Sequence, residues 1–251
     1  MSTVAPARAR ISVIVCAFNE QQYLAGCLHS VLGQSRSPDE VIVVNNGSTD
    51  GTRDIAMRFV QVQIVDEPRR GLVRAREAGR RYASGDLLVY LDADSRLPLN
   101  WIERVERTFA RRPALVGLSG RYRFYDWDRL GALLLGVYDV TLAPLAHGLV
   151  HHLLRIGAVF YGGAFCVRRD ALDAIGGFDT SIEFHGEDTN LGRRLTSVGD
   201  VALSWRCCSW TSARRYKAMG KGAVFGLYIR NFVSEILRNR PSDTQHVDVR
   251  V

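Results

Sequence analysis

Lysine is almost missing from this chain. Of 33 basic side chains only Lys217 and Lys221 are lysines, and the rest are arginines. The formal net charge of +7 is therefore carried by planar guanidiniums, which suit two-pronged contact with carboxylates and phosphates. The arginines are dispersed and cluster only in short groups such as Arg69-Arg70, Arg111-Arg112, Arg168-Arg169, Arg193-Arg194 and Arg214-Arg215. That spread reads as compositional bias on a solvated surface, so no nucleic-acid partner is expected. Cysteine spacing is missing too. Cys16, Cys27, Cys166, Cys207 and Cys208 are odd in number and form no CxxC pair. This argues against a disulfide framework or a zinc site and for buried, reduced thiols in a cytosolic protein. Met1 to Arg10 has no apolar core and reads as no signal peptide. No stretch looks long enough to span a bilayer. The nearest, residues 130–150, carries Asp139, Pro144 and His147. It reads as a core helix, the commoner fate of apolar helical segments, or else as an amphipathic surface element.

What is present is ordinary globular composition, 47% hydrophobic and 24% charged, in a length that suits one large domain. Apolar strand-like runs at 11–17, 40–44, 62–65 and 87–91 alternate with helical spacing at 20–32, 52–59, 71–83 and 100–110. Such alternation predicts a Rossmann-like α/β half with parallel strands and helices on both faces. The rhythm changes beyond residue 113. One or two strands are expected over 116–125, and a long helix over 130–156 broken near Pro144. A glycine-containing strand follows at 158–167, then short helices at 169–175 and 188–197 and a strand at 201–205. An amphipathic helix over 223–237 precedes a disordered polar tail from 241. With no repeat and no linker, residues 1–251 read as one domain. Its parts are 10–110, 111–215 and a C-terminal helix and tail at 216–251.

The run Leu-Leu-Val-Tyr-Leu over 87–91 stops at Asp92-Ala93-Asp94-Ser95. If the strand geometry persists, the two carboxylates project from one face. They repel unless a cation lies between them, and magnesium-like ions take oxygen ligands. An Asp-rich turn explains the same residues equally well. In the cluster from Asn45 to Gly51, Ser48 or Thr49 could cap the helix that follows. The same cluster could instead wall a nucleotide pocket. Arg74 and Arg76 cannot share one helix face, so one of them is expected to point inward. His185-Gly186-Glu187-Asp188 forms an acidic loop in the second half. Asp188 there is either a helix cap or a general base, and His185 is a rival base.

Together these segments resemble the family-2 nucleotide-sugar glycosyltransferases of the GT-A fold. The residues that carry the resemblance are 12–20, 40–52, 71–79, 86–94, 161–167 and 176–195, in family order over roughly residues 10–215. The resemblance implies a mixed central sheet and a divalent cation, Mg2+ or Mn2+, held by Asp92 and Asp94 on the donor diphosphate. Ala17, Phe18, Glu20 and Asn46 would line base and ribose, and Arg76 would lie near the nucleotide. Gly162 and Gly163, after Tyr161, would shape the sugar and acceptor pocket. Glu187-Asp188 would contain the catalytic base, assigned to Asp188, and Arg214 would help neutralise the diphosphate. The implied partners are a nucleoside-diphosphate sugar donor and a saccharide or lipid-linked acceptor, in a cell-envelope polysaccharide setting. The implied place is the cytoplasm or the inner face of the plasma membrane.

Two departures from the family pattern stand out. Asn45-Asn46 replaces the usual aspartates, which leaves the base preference open. The Gln-x-x-Arg-Trp motif of processive polymerising members is absent, and Ser212-Ala213-Arg214-Arg215-Tyr216 stands near its place. The resemblance implies inverting transfer, and the missing motif implies a non-processive one; a non-catalytic sugar-nucleotide binder or membrane-face scaffold is the alternative. A dehalogenase-type phosphatase would carry Asp-x-Asp on its first strand. A nucleotidyltransferase would want a basic Gly-rich loop after that strand, and 17–22 is not one.

Overall fold

The computed structural model describes residues 8–244. Four apolar runs become the strands β1 (Ile11–Ala17), β2 (Glu40–Asn45), β3 (Val62–Asp66) and β4 (Leu87–Asp92). They pair in parallel in the order β3-β2-β1-β4. β1, β2 and β4 are apolar at nearly every position because helices cover both faces of the sheet. On one face lie α1 (Leu24–Leu32) and α4 (Trp101–Arg111), on the other α3 (Leu72–Tyr82), while α2 (Thr52–Met57) links β2 to β3. In α2 the expected Ser48 or Thr49 cap is not used. Asp50 Oδ1 instead accepts from the Thr52 amide at 3.0 Å, and Ser48 Oγ accepts from the Asn19 amide at 3.1 Å. α1 starts four residues later than expected, because 21–23 form a turn bonded back to the Glu20 carbonyl.

The second half adds β5 (Leu115–Phe124), β6 (Ala164–Arg168) and β7 (Asp200–Thr211), completing a seven-stranded sheet ordered β3-β2-β1-β4-β6-β5-β7. β6 runs antiparallel to both β4 and β5, and β5 runs parallel to β7, so the sheet is mixed. The strand expected over 158–167 is confined to β6. Residues 158–163 leave the sheet and turn at Gly162-Gly163. β7 is longer than 201–205 because its register with β5 shifts between Gly120 and Tyr122. A bulge of that kind bends the strand. It brings the Cys207 carbonyl so close to Gly120 that a Cβ there would lie 1.6 Å from its oxygen.

The helices of this half are α5 (Arg129–Val140), α6 (Leu142–His147), α7 (Arg169–Ala174), α8 (Glu187–Leu195), α9 (Arg214–Met219) and α10 (Lys221–Arg238). The break expected at Pro144 falls at Thr141 instead. Pro144 sits in the first turn of α6, where its missing N–H costs no helical bond. A wide turn over Gly148–Leu153 continues α6. The core-helix expectation for 130–150 fails. Arg129–Leu153, taken as one 25-residue run, is long and apolar enough by length and composition to cross a membrane, yet only 28% of it is buried. Each outward leucine forgoes roughly 1.5–3 kcal/mol of burial. The tail expectation fails in part as well. Asn231 Nδ2 donates to the Asp243 carbonyl at 2.7 Å, and the Phe184 amide donates to the Thr244 carbonyl at 3.0 Å, so 241–244 are fastened down. The rest of the expected tail lies outside the described residues. Cys16, Cys27, Cys166 and Cys207 are buried free thiols, and Cys208 is half-buried.

Candidate active site

β1 sends its chain toward β2 and β3, whereas β4 lies on its other side beside β6. The carboxyl ends of β1 and β4 thus flank the point where the sheet changes direction, the usual crevice for a ligand in such sheets. Cys16 pairs with Asp92 across these strands, so Ala17 and Phe18 stand level with the Asp-x-Asp segment. Asp92 ends β4, and the chain then turns, with the Ser95 amide donating to the Asp92 carbonyl at 2.9 Å. The strand reading and the turn reading are both realised here. The same-face argument does not hold past Asp92, and different arginines hold the two carboxylates.

Arg76, only 1% exposed, holds the first. Its Nη2 donates to Asp92 Oδ1 at 3.3 Å and to the Gly162 carbonyl at 2.7 Å, and its Nη1 donates to Glu187 Oε1 at 2.9 Å. Its guanidinium lies 5.1 Å from the Phe165 ring centroid. One side chain thus ties together the end of β4, the Gly162 loop and the first turn of α8. Arg74 is the outward member of the pair, half-buried on the helix flank.

Arg214, at the start of α9, holds the second carboxylate. Its guanidinium takes both oxygens of Glu20 and pairs with Asp94 Oδ2 at 3.1 Å. Thr211 Oγ1 donates to Asp94 Oδ1 at 3.2 Å. Burial pushes the Asp94 carboxyl up to about 6, with Glu20 and Asp92 acting in the same direction and Arg214 opposing them.

Glu187 and Asp188 open α8, where the helix dipole favours acids. Gly186, at φ 86°, makes the tight entry that places them there. Burial raises both carboxyls. Their mutual repulsion adds to the shift of Glu187, while Arg76 opposes it. Asp188 Oδ1 accepts from the Thr189 amide at 2.7 Å, so it is fixed by backbone and is no N-cap. Gly162 lies against this pair, and a Cβ on it would lie 3.0 Å from Glu187 Oε1 and 3.3 Å from Asp188 Cβ. Gly163 donates its amide to the Tyr122 hydroxyl and accepts from the Asp92 amide at 3.0 Å.

The other expected residues are placed less directly. Asn46 is buried, and its amide is spent on the 67–71 loop. Its Nδ2 donates to the Glu67 and Arg69 carbonyls, and its Oδ1 accepts from the Gly71 amide at 2.8 Å. Phe18 is half-buried beneath the Arg70 guanidinium, 4.7 Å away. His185 is buried, with Nδ1 3.5 Å from Arg215 Nη1. Sequence reasoning missed Tyr122, Thr211 and the Tyr161–Asp139 hydrogen bond of 2.9 Å. Only the Arg-Tyr-Arg-Phe alternation over 121–124 hinted that Tyr122 faces inward.

No group of three His, Cys, Asp or Glu side chains that could hold a metal occurs among the described residues. The donor chemistry still fits a hard divalent ion, which takes one or two carboxylates and completes its shell with water and phosphate. Asp92 supplies a side chain that is 37% exposed with one oxygen on Arg76. Asp94 supplies a carboxylate near Glu20 and Asp92, with Arg214 on Oδ2 and Thr211 on Oδ1.

Comparison with known proteins gives the family and the fold. The family model described as "Glycosyl transferase family 2" matches residues 12–176, well over half of the chain. Glycosyltransferase AglE of Haloferax volcanii is 38% identical over 102 residues, 38% of this chain and 33% of that protein. The glucosyl-dolichyl phosphate glucuronosyltransferase of the same organism is 24% identical over 185 residues, 71% of this chain and 58% of that protein. The chain therefore spans from about a third to just over half the length of these two curated relatives. Among solved structures, a mannosyltransferase from Pyrobaculum calidifontis in complex with GDP-Man and Mn2+ superposes with a TM-score of 0.65 at 21% identity. The match covers 90% of this chain and 65% of that one. Glucosyl-3-phosphoglycerate synthase from Mycobacterium tuberculosis, with Mn2+, UDP and phosphoglyceric acid, gives 0.63 at 20% identity, covering 92% and 78%.

Proposed function

The chain belongs to glycosyl transferase family 2, and from that premise we propose that it is an inverting, divalent-cation-dependent, non-processive transferase moving a sugar from a nucleoside diphosphate to an acceptor hydroxyl. Its mixed seven-stranded sheet is that of the GT-A glycosyltransferases. The observation that carries the reading is the convergence of Asp92, Gly162 and Glu187 on Arg76 at the crevice between β1 and β4, with Asp188 next to Glu187 at the start of α8.

The acceptor oxygen attacks the anomeric carbon as the bond from that carbon to the diphosphate oxygen breaks. The electron pair leaves on the diphosphate, and the acceptor proton passes to the Asp188 carboxylate. A single displacement inverts the anomeric centre. Asp92 and Asp94 are the residues that would hold a divalent cation, which supplies charge neutralisation for the leaving diphosphate. Arg76 orients Asp92 and Glu187 toward the crevice, and the Gly162-Gly163 backbone lets Glu187, Asp188 and Tyr122 pack closely beside it. Arg214 stands beside Asp94 as a second positive charge for the diphosphate. The acceptor is a saccharide or lipid-linked hydroxyl compound, and the cytoplasmic side of the cell is the compartment.

Thermal unfolding with a panel of nucleoside-diphosphate sugars, with and without Mn2+, tests the reading. A matching donor is expected to raise the melting temperature by mass action, and more so with the cation. If no donor shifts the transition and none is hydrolysed or transferred, the proposal fails. Stabilisation without turnover on any acceptor would favour a non-catalytic binder instead.

The pH dependence follows from the raised carboxyls. A base works only when ionised, so kcat/KM is expected to fall as pH drops through the raised pKa of the Glu187–Asp188 pair. That acidic limb should lie above the ordinary carboxylate range, and the two acids should titrate as a unit. A rate profile flat down to pH 4 would show that no buried carboxylate accepts the proton.

A further inference from the structure

The run from α5 to the wide turn is patterned inside out. Its buried positions recur every four residues as Gly131, Leu135, Asp139, Ala143, His147 and His151, with Val150 beside the last, and three of these seven are polar. Its outward positions are Leu133, Leu134, Val137, Leu145, Leu149 and Leu153, from 49% to 74% exposed. A surface helix of a protein surrounded by water shows the opposite arrangement. A contiguous apolar face of this kind marks an interaction site.

Charge says what covers it. Within 129–156 the only acid is Asp139, buried and hydrogen-bonded to Tyr161. α10 lies alongside, with Phe225 5.9 Å from Tyr138 between ring centroids and Ile236 over Gly157. It adds the exposed Ile229, Val233 and Leu237, and its only acid, Glu235, is fully buried on Arg193. The exposed charges of both segments are cations: Arg129, Arg155, Lys221, Arg230 and Arg238, with Arg240 just beyond α10. An apolar face rimmed by cations, whose one exposed carboxylate at the edge, Asp128 at the start of α5, is paired with Lys221 at 2.6 Å, matches a bilayer whose headgroups are anionic. A second copy of the chain fits worse, because a two-fold contact through this patch would set arginines against arginines.

We propose that residues 129–156, together with the outer face of α10, dock the protein peripherally on an anionic lipid bilayer. The segment lies in the headgroup region with its leucines toward the acyl chains, and the protein does not span the membrane. Asp139 and Tyr161 connect the back of α5 to the Gly162-Gly163 loop, which would place the crevice near the bilayer within reach of a lipid-linked acceptor. That last consequence rests on the transferase reading, whereas the docking itself does not.

Co-flotation of the full chain with vesicles tests the docking independently of any donor or acceptor. Vesicles of phosphatidylcholine with 30 mol% phosphatidylglycerol are expected to carry the protein, and pure phosphatidylcholine far less. Raising the salt from 0.05 to 0.5 M should weaken the binding. The double variant Leu133→Gln/Leu145→Gln changes two exposed side chains, so its melting temperature should be unchanged while vesicle binding drops at least tenfold. Arg155→Ser with Arg230→Ser should reduce binding only to the anionic vesicles. Failure to float with anionic vesicles, or equal flotation of wild type and leucine variant, overturns the proposal. So does a lipid-free dimer that the leucine variant splits into monomers, which would make the patch a contact between copies.

Discussion

Asp188→Asn is expected to lower turnover by about 10²–10⁴-fold, the usual contribution of a positioned general base, while donor-induced thermal stabilisation persists. Asparagine keeps the shape of the side chain and an oxygen that can accept from the Thr189 amide, so the start of α8 should survive. What it loses is the ability to take a proton. It also removes one of two half-buried, mutually repelling carboxylates, whose shifts upward are caused first by loss of solvent. The variant should therefore be at least as stable as the wild type near neutral pH, and the remaining Glu187 carboxyl should titrate lower. This combination separates the base from a structural acid, since a side chain needed only for folding would cost stability along with rate. Single-turnover transfer measured beside thermal unfolding decides it. If the variant keeps more than a tenth of wild-type turnover, Asp188 is not the base, and His185 becomes the group to replace next.

The first half of the molecule was legible because its physics is local. β1, β2 and β4 are buried on both faces, so they are written as unbroken apolar runs, and the polar residues that end them mark the carboxyl edge of the sheet. The second half depends on long-range pairing. β7 looks short in sequence because the bulge around Ser204 to Ser209 interrupts its alternation. The 158–167 run looks like one strand because nothing local reveals that Gly162 must turn its carbonyl toward Arg76. Arg76 and Glu187 are 111 residues apart, and Arg214 and Glu20 are 194 apart. Sequence showed that these residues carry charge but not that they neutralise each other. Periodicity found the helical character of 130–150 yet could not tell which face looks inward. An inverted pattern has the same period as a normal one.

Replacing Arg76 by Met should be among the most destabilising single changes in the molecule. The methionine fills much of the same volume against Phe165 but leaves Glu187, Asp92 and the Gly162 carbonyl without their shared donor. Breaking a buried ion pair from one side costs about 3–5 kcal/mol, because the remaining charge stays desolvated. Asp92 is 37% exposed and water can screen it, so the lower end of that range applies to its share. At roughly 2–4 °C per kcal/mol for a chain of this size, the melting temperature should fall on the order of 10 °C. Arg76→Lys keeps the charge but not the fork that reaches three partners, so it should land between wild type and Met. The loss should also depend on pH in a defined sense. Burial already raises the Glu187 carboxyl against the opposition of Arg76, and without the guanidinium it would rise further above its unfolded value. The variant's stability is then greatest below the unfolded carboxyl pKa and declines as pH rises toward the folded value. Adding Glu187→Gln should recover part of the loss and flatten that decline. A double-mutant cycle by chemical denaturation at pH 5 and pH 8 measures both effects. If the Arg76→Met penalty is under 1 kcal/mol, or the same at both pH values with Glu187 intact, Arg76 is not the brace that holds the first turn of α8 against the end of β4.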